Sequence, residues 1–229
     1  MEFEVGLYSH PIFSAKGGFP DRVVSRIAKK SKDQGYPRSR LPEFSPIEVD
    51  FVKGTSDFYG FNHYSSKFYT RYDFQPGMYP TPSYEDDLGA TYTYLNYKKG
   101  AVIHCTVIPE GIRKALNWVK DSYNNPPVII TENGFGTFGG LVDHDRVSYY
   151  REYLSNILDA IEEDKCNVIS YTAWSLMDNL EWDSGTSVKF GLFETDYEDD
   201  HRTRRPRLSA FWYKNLVEKK GLQPWSTEK

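Results

Sequence analysis

The 229-residue sequence is short of several things that would narrow its function at once. Cysteine occurs only twice, at Cys105 and Cys166, far apart and without the spacing of a metal site. A disulfide between them is conceivable, but two buried free thiols are the expectation. No apolar run approaches the ~20 residues that a membrane helix needs. Basic residues are not in excess: the net charge is −4, so nothing favours nucleic acid or an anionic membrane surface as a partner. Asn-x-Ser/Thr acceptor sites, internal repeats and low-complexity tracts are missing as well. Met1-Glu2-Phe3-Glu4 has neither the charged nor the apolar region of a secretory signal.

Aromatic residues, by contrast, are abundant, at 16% with eighteen Tyr, fourteen Phe and five Trp. They can simply fill a core, or line a pocket that stacks on a ligand. The remaining composition, 39% hydrophobic and 26% charged, is that of an ordinary globular chain.

The C-terminal half has a regular pattern. Ile112, Leu116 and Val119 recur at helical spacing after Pro109, and Asn124-Asn125-Pro126-Pro127 ends that helix because proline cannot continue it. Val128–Ile130 follows as a short, continuously apolar strand, the pattern of a parallel strand covered on both faces. After a Gly-rich loop, a second helix is predicted from Asp143–Asp145, acidic residues suited to an N-terminus. Its predicted stripe is Val147, Tyr150, Leu154, Ile157, Leu158 and Ile161. Val168–Trp174 is the next strand, and a last helix carries Leu208, Phe211, Trp212 and Leu216 on one face, ending at Gly221. Strand, helix, strand, helix implies a parallel α/β sheet. In the first half, Pro20–Ser31 is predicted helical, Asp57–Tyr64 strand-like, and residues 69–100 a long loop rich in Tyr, Pro and Gly.

Each strand leads into a polar cluster: Asn62-His63-Tyr64, Glu132-Asn133-Gly134 and Trp174-Ser175-Leu176. Parallel α/β folds present their chemistry at the C-terminal ends of strands. A strand-end glutamate can equally cap a helix or pair with an arginine, and Asn133-Gly134 reads as a turn. The run Trp174–Trp182 adds two indoles and the carboxylates Asp178 and Glu181. Core packing accounts for either indole alone. Together with carboxylates they fit sugar recognition, the indole stacking on the C–H face of a pyranose while a carboxylate accepts from paired hydroxyls.

The ordered set Asp57–Tyr64, Ile130–Gly134 and Trp174–Trp182 resembles the family-1 glycoside hydrolases, the β-glucosidase type of retaining β-glycosidase. Gly6–Phe13 and Asp143–Tyr150 are similar to that family too, and Gly35–Pro46 resembles its animal, insect-like branch. The resemblance implies an incomplete (β/α)8 TIM barrel carrying roughly the sixth to eighth β/α units, as one partial domain over residues 1–229. It implies Glu132 as nucleophile on the seventh strand, forming a covalent glycosyl-enzyme intermediate. Tyr64 would be the phenol that bonds this carboxylate, and Asn62 would sit beside it at the sugar. Trp174 would be the glycone platform, Glu181 and Trp182 would bond more distal hydroxyls, and Phe190 would close the pocket. No metal or cofactor is implied.

Some family features have no counterpart. A retaining glycosidase needs a second carboxyl group about 5–5.5 Å from the first, as general acid/base. The family supplies it from Thr-x-Asn-Glu-Pro on the fourth strand, and no Asn-Glu-Pro occurs in these 229 residues. The resemblance places the start of the chain near the helix after the fifth strand, so the missing N-terminal part of the barrel is an expected partner beside a β-glycoside. Alone, the chain is expected to be unstable or aggregation-prone, with an uncovered sheet edge, and to hydrolyse ordinary β-glucosides negligibly, since general acid assistance is worth about 10²–10⁴-fold. Leu180, Met177 and Glu110 replace residues more usual in the family. Glucose, galactose and fucose all suit Glu181 and Trp182, and members occur both secreted and cytosolic. The alternative is a non-catalytic product with a residual sugar-binding or partner-binding surface.

Overall fold

The computed structural model describes residues 1–71, 81–93, 97–102 and 105–222. In chain order its helices are α1 (Leu7–Phe13), α2 (Asp21–Asp33), α3 (Pro46–Val52), α4 (Tyr84–Leu88), α5 (Glu110–Tyr123), α6 (His144–Glu162) and α7 (Leu208–Lys219). The strands are β1 (Tyr59–Asn62), β2 (Phe68–Arg71), β3 (Ala90–Thr93), β4 (Val128–Asn133), β5 (Val168–Ala173), β6 (Phe193–Thr195) and β7 (Arg204–Pro206). The chain forms two compact units: Met1–Tyr59 with Lys67–Leu95 and Val119–Pro127, and Gly60–Ser66 with Asn96–Trp118 and Val128–Lys229.

In the first unit, α2 lies where Pro20–Ser31 predicted a helix and buries Val23 and Ile27. Helix α3 begins with a reciprocal capping box: the Ser45 hydroxyl accepts from Glu48 N, and the Glu48 carboxylate accepts from Ser45 N. The expected long loop over 69–100 is only partly one. Strands β2 and β3 pair antiparallel from Phe68↔Thr93 to Arg71↔Ala90, with α4 between them. Tyrosines that counted toward a loop instead make a cross-strand pair, Tyr69 meeting Tyr92 edge to face at 5.8 Å. Within that stretch, 72–80 and 94–96 lie outside the described residues.

The second unit is built on a three-stranded sheet in the order β1-β4-β5, with β4 and β5 parallel. Strand β4 runs three residues beyond the predicted Val128–Ile130 and so takes Glu132 into the sheet. Its burial also departs from the expectation of two covered faces. Val128, Ile130 and Asn133 are buried, whereas Ile129, Thr131 and Glu132 are half-exposed, and Ile169 on β5 is 59% exposed. Ile169 and, in part, Ile129 thus carry apolar surface toward solvent.

Helix α5 buries Ile112, Leu116 and Val119 as their spacing predicted. Helix α6 forms as predicted and buries half of its predicted stripe, Val147, Tyr150 and Ile157, together with Tyr149, Tyr153 and Ala160 outside it. Of the rest of the stripe, Leu158 is exposed and Leu154 and Ile161 are half-buried. Tyrosine wins these positions because each ring fills core volume while its phenol reaches a backbone group. Tyr149 Oη donates to Tyr64 O at 3.1 Å, Tyr150 Oη donates to Trp174 O at 3.0 Å, and Tyr153 Oη accepts from Ile108 N at 3.2 Å. On α7, Trp212 is buried and stacks on Tyr150, but Phe211 is exposed, contrary to its predicted place on the inner face. The cysteines form no disulfide, and Cys166 is buried as expected while Cys105 is only half-buried.

Candidate active site

Two-residue periodicity assigns the side chains after β1 to alternate faces. Phe61 and His63 turn into the core, whereas Asn62 and Tyr64 point to the open side. His63 N donates to Glu132 O at 2.9 Å, which sets Tyr64 level with the end of β4. There the Tyr64 phenol donates to Glu132 Oε2 at 2.6 Å, a bond between residues 68 apart in sequence. A short O–H···O⁻ bond of this kind is strong and directional. The phenol's pKa is raised, first by burial and then by the Glu132 carboxylate, so Tyr64 remains a donor throughout the ordinary pH range.

Asn133 and Gly134 fix the strand end. Asn133 is not a turn residue but the buried last residue of β4. Its Nδ2 donates to His63 O at 2.7 Å and Tyr149 Oη at 2.9 Å, and its Oδ1 accepts from Tyr171 Oη at 2.7 Å. Gly134 is required by close approach: a Cβ there would lie 2.0 Å from Trp174 O. The 174–182 segment can therefore press directly on the end of β4.

That segment leaves β5 through a cis Trp174–Ser175 peptide. Trp174 Nε1 donates to Glu181 Oε1 at 3.2 Å, tying indole and carboxylate together. The Glu181 carboxyl is raised above its ordinary pKa, mainly by burial, with hydrogen bonds from Trp174 and Asn179 opposing and the Glu132 charge adding. Phe190 is buried and meets the Tyr64 ring edge to face at 5.9 Å.

Six of the seven residues singled out in the sequence adjoin one cavity of about 390 Å³: Tyr64, Glu132, Trp174, Glu181, Trp182 and Phe190. Trp182 is 90% exposed at the rim. Asn62 is exposed, accepts from Thr131 Oγ1, and is not among the lining residues. The lining also includes Val102, Cys105, Asp183 and Ser184, which sequence reasoning passed over. Asp183 and Ser184 directly follow Trp182, a signal that could have been used. Val102 and Cys105 are joined by Cys105 N donating to Val102 O, and Ala101 N donates to Gly136 O, contacts that nothing local in sequence betrays. No group of three metal-ligating side chains occurs among the described residues. The cavity thus offers a hydrogen-bonded carboxylate, a second carboxylate bonded to an indole, and two further aromatics. Such a set can hold a polyhydroxylated ring against a nucleophilic oxygen.

The chain is similar to known proteins over most of its length. Myrosinase 1 of Brevicoryne brassicae is 43% identical over 217 residues, 94% of this chain and 46% of that protein. Human cytosolic β-glucosidase is 37% identical over 97% of this chain and 47% of its own length. The chain spans about half the length of these curated relatives. Among solved structures, aphid myrosinase superposes with a TM-score of 0.84 at 40% identity, covering 95% of this chain and 46% of that one. A rice β-glucosidase follows at 0.83 and 33%, covering 94% and 45%. The match falls on the C-terminal half of these TIM barrels, so the fold is an incomplete (β/α)8 barrel. The model of the family described as Glycosyl hydrolase family 1 matches residues 1–222, and the chain belongs to that family.

Proposed function

We propose that this chain carries the nucleophile and part of the glycone subsite of a retaining β-glycosidase of the β-glucosidase type. The observation that carries the proposal is the 2.6 Å bond from the Tyr64 phenol to Glu132 Oε2 at the wall of an aromatic-lined cavity. It leaves the carboxylate oriented and open to a ligand. In this reading residues 1–229 form one partial catalytic domain. Its partners are a β-glycoside and the part of the barrel that supplies the acid/base carboxyl.

In the first half-reaction a Glu132 oxygen bonds to the anomeric carbon, and the bond from that carbon to the aglycone oxygen breaks. The electron pair leaves with the aglycone, protonated by the general acid. Water, giving its proton to the former general acid now acting as base, then attacks the same carbon and frees Glu132. Trp174 supplies the platform under the ring, Glu181 and Trp182 receive outer hydroxyls, and Phe190 closes the side behind Tyr64. Asn62, one strand position from His63, is assigned to the sugar's edge. The fungal relative solved with glucose and the rice enzyme solved in covalent complex with Glc support a glucose-like glycone.

A reagent that needs no acid tests the nucleophile. With 2-deoxy-2-fluoro-β-D-glucosyl fluoride, Glu132 would form the ester and fluoride would depart with its electron pair. Mass spectrometry is expected to find the adduct on the peptide containing Glu132 and to lose it in Glu132→Gln. An adduct on another residue refutes the assignment. A second reading, a sugar-binding chain without turnover, draws on the lack of any Asn-Glu-Pro in these residues. No adduct, with Trp174 fluorescence still quenched by glucose, favours that reading.

A further inference from the structure

Among the described residues of the second unit, four charged side chains outside the cavity are buried: Asp143, Arg146, Asp178 and Arg207. Arg207 forms a two-pronged pair with Asp178, both N···O distances 2.9 Å, and Arg146 bonds Asp143 at 2.6 Å. Both guanidinium groups also converge on one carbonyl, Gly191 O, each at 2.7 Å. Gly191 N in turn donates to Asp178 Oδ1 at 2.9 Å. The two backbone groups of Gly191 are thus both fixed by buried charge. No side chain fits at this position, since a Cβ on Gly191 would lie 2.3 Å from Asp178 N.

This arrangement is poorly explained by stability alone, because apolar residues of equal volume would serve a core at least as well as buried ion pairs. What ion pairs add is direction. Asp178 lies inside the 174–182 segment, between Trp174 and Glu181, and Phe190 immediately precedes Gly191. The Asp178–Arg207 pair therefore joins the two chain segments that bear four of the cavity's side chains, Trp174, Glu181, Trp182 and Phe190.

We propose that Asp178 and Arg207 are positioning residues for glycone recognition, locking the Trp174–Glu181 segment to Phe190 so that indole, carboxylate and phenyl ring face one ligand. This inference rests on the glycosidase reading, with the chemistry assigned to Glu132 unchanged. Lysine at 207 keeps the charge but cannot reach both Asp178 oxygens together with Gly191 O and Gly140 O, which the native side chain does.

The test is Arg207→Lys in this full chain, with two readouts. One is trapping by 2-deoxy-2-fluoro-β-D-glucosyl fluoride: Ki is expected to rise at least tenfold while kinact changes less than threefold. The other is the ¹⁵N–¹H indole resonance of Trp174, assigned with Trp174→Phe, which is expected to move. Ile112→Ala, a core change on α5 making none of these bonds, should leave the resonance in place. A Ki within twofold of the parent and an unmoved indole resonance overturn the proposal. Failure of the parent chain to be trapped counts against the glycosidase reading, and the indole resonance alone then decides the positioning role. If Arg207→Lys does not fold, Tyr197→Phe removes the phenol that donates to Asp178 O at 2.8 Å. That variant should displace the same resonance, and an unmoved one overturns the inference.

Discussion

Acid should dismantle the site through His63, which is not part of the cavity. This residue sits behind Glu132, its amide donating to Glu132 O and its carbonyl accepting from Asn133 Nδ2. The ring is 8% exposed, lies between Phe61 and Tyr153 at 5.7 and 5.8 Å, and leaves Nδ1 without a hydrogen-bond partner. Burial lowers its pKa from 6.5 to about 4. Between those values the unfolded chain binds a proton that the folded chain refuses, so stability falls as pH falls. The contribution is fully present above pH 6.5 and is lost as pH drops toward 4. That interval corresponds to roughly 3 kcal/mol, most of it gone by about pH 4.5. Urea unfolding of the parent and of His63→Phe at pH 7 and 4.5 isolates the term from the carboxylates that titrate in both. The parent should lose about 2–3 kcal/mol more than the variant. An NMR titration should place the His63 ring below pH 5. A midpoint at 6 or above, or equal losses in the two proteins, would refute the account of a buried neutral imidazole.

Other changes probe the neighbouring supports. Asn133→Ala strands the partners of three buried hydrogen bonds and should cost about 3 kcal/mol or more, read from the shift in urea midpoint. Gly134→Ala forces a methyl group against Trp174 O and should lower soluble yield sharply, whereas wild-type yield would show that the two segments can separate freely. Ile169→Thr removes an exposed branched apolar side chain from β5. It should change stability by less than about 0.5 kcal/mol while reducing dye binding and light scattering, and an unchanged scattering profile would acquit the open face.

What the sequence disclosed and what it concealed follow from the range of the forces involved. Runs such as Val128–Ile130 and the Ile112/Leu116/Val119 repeat are local, and periodicity found both elements. The stripe of α6 was read only in part: Tyr149 and Tyr153 were passed over, because a mainly aliphatic pattern ignores a tyrosine's ability to bury its ring and still satisfy its phenol, as Tyr149 does at Tyr64 O. Buried Arg146 and Arg207 defeat any hydropathy argument: each looks like a surface residue, Arg146 although its carboxylate Asp143 stands three residues away, and Arg207 until Asp178 arrives from 29 residues away. The meeting of Tyr64 with Glu132 across 68 residues has no local signature, and only the resemblance of ordered motifs pointed to it. The contact of phenol with nucleophile is long-range, whereas the signals that identify the strands and helices are short-range. The two coincide only where β1 and β4 end side by side, because the backbone bond from His63 N to Glu132 O brings residues from both strands to the same level. A one-residue slip of that pairing would turn Tyr64 inward and His63 outward. Strand register, more than the identity of any single side chain, is therefore what the site depends on first.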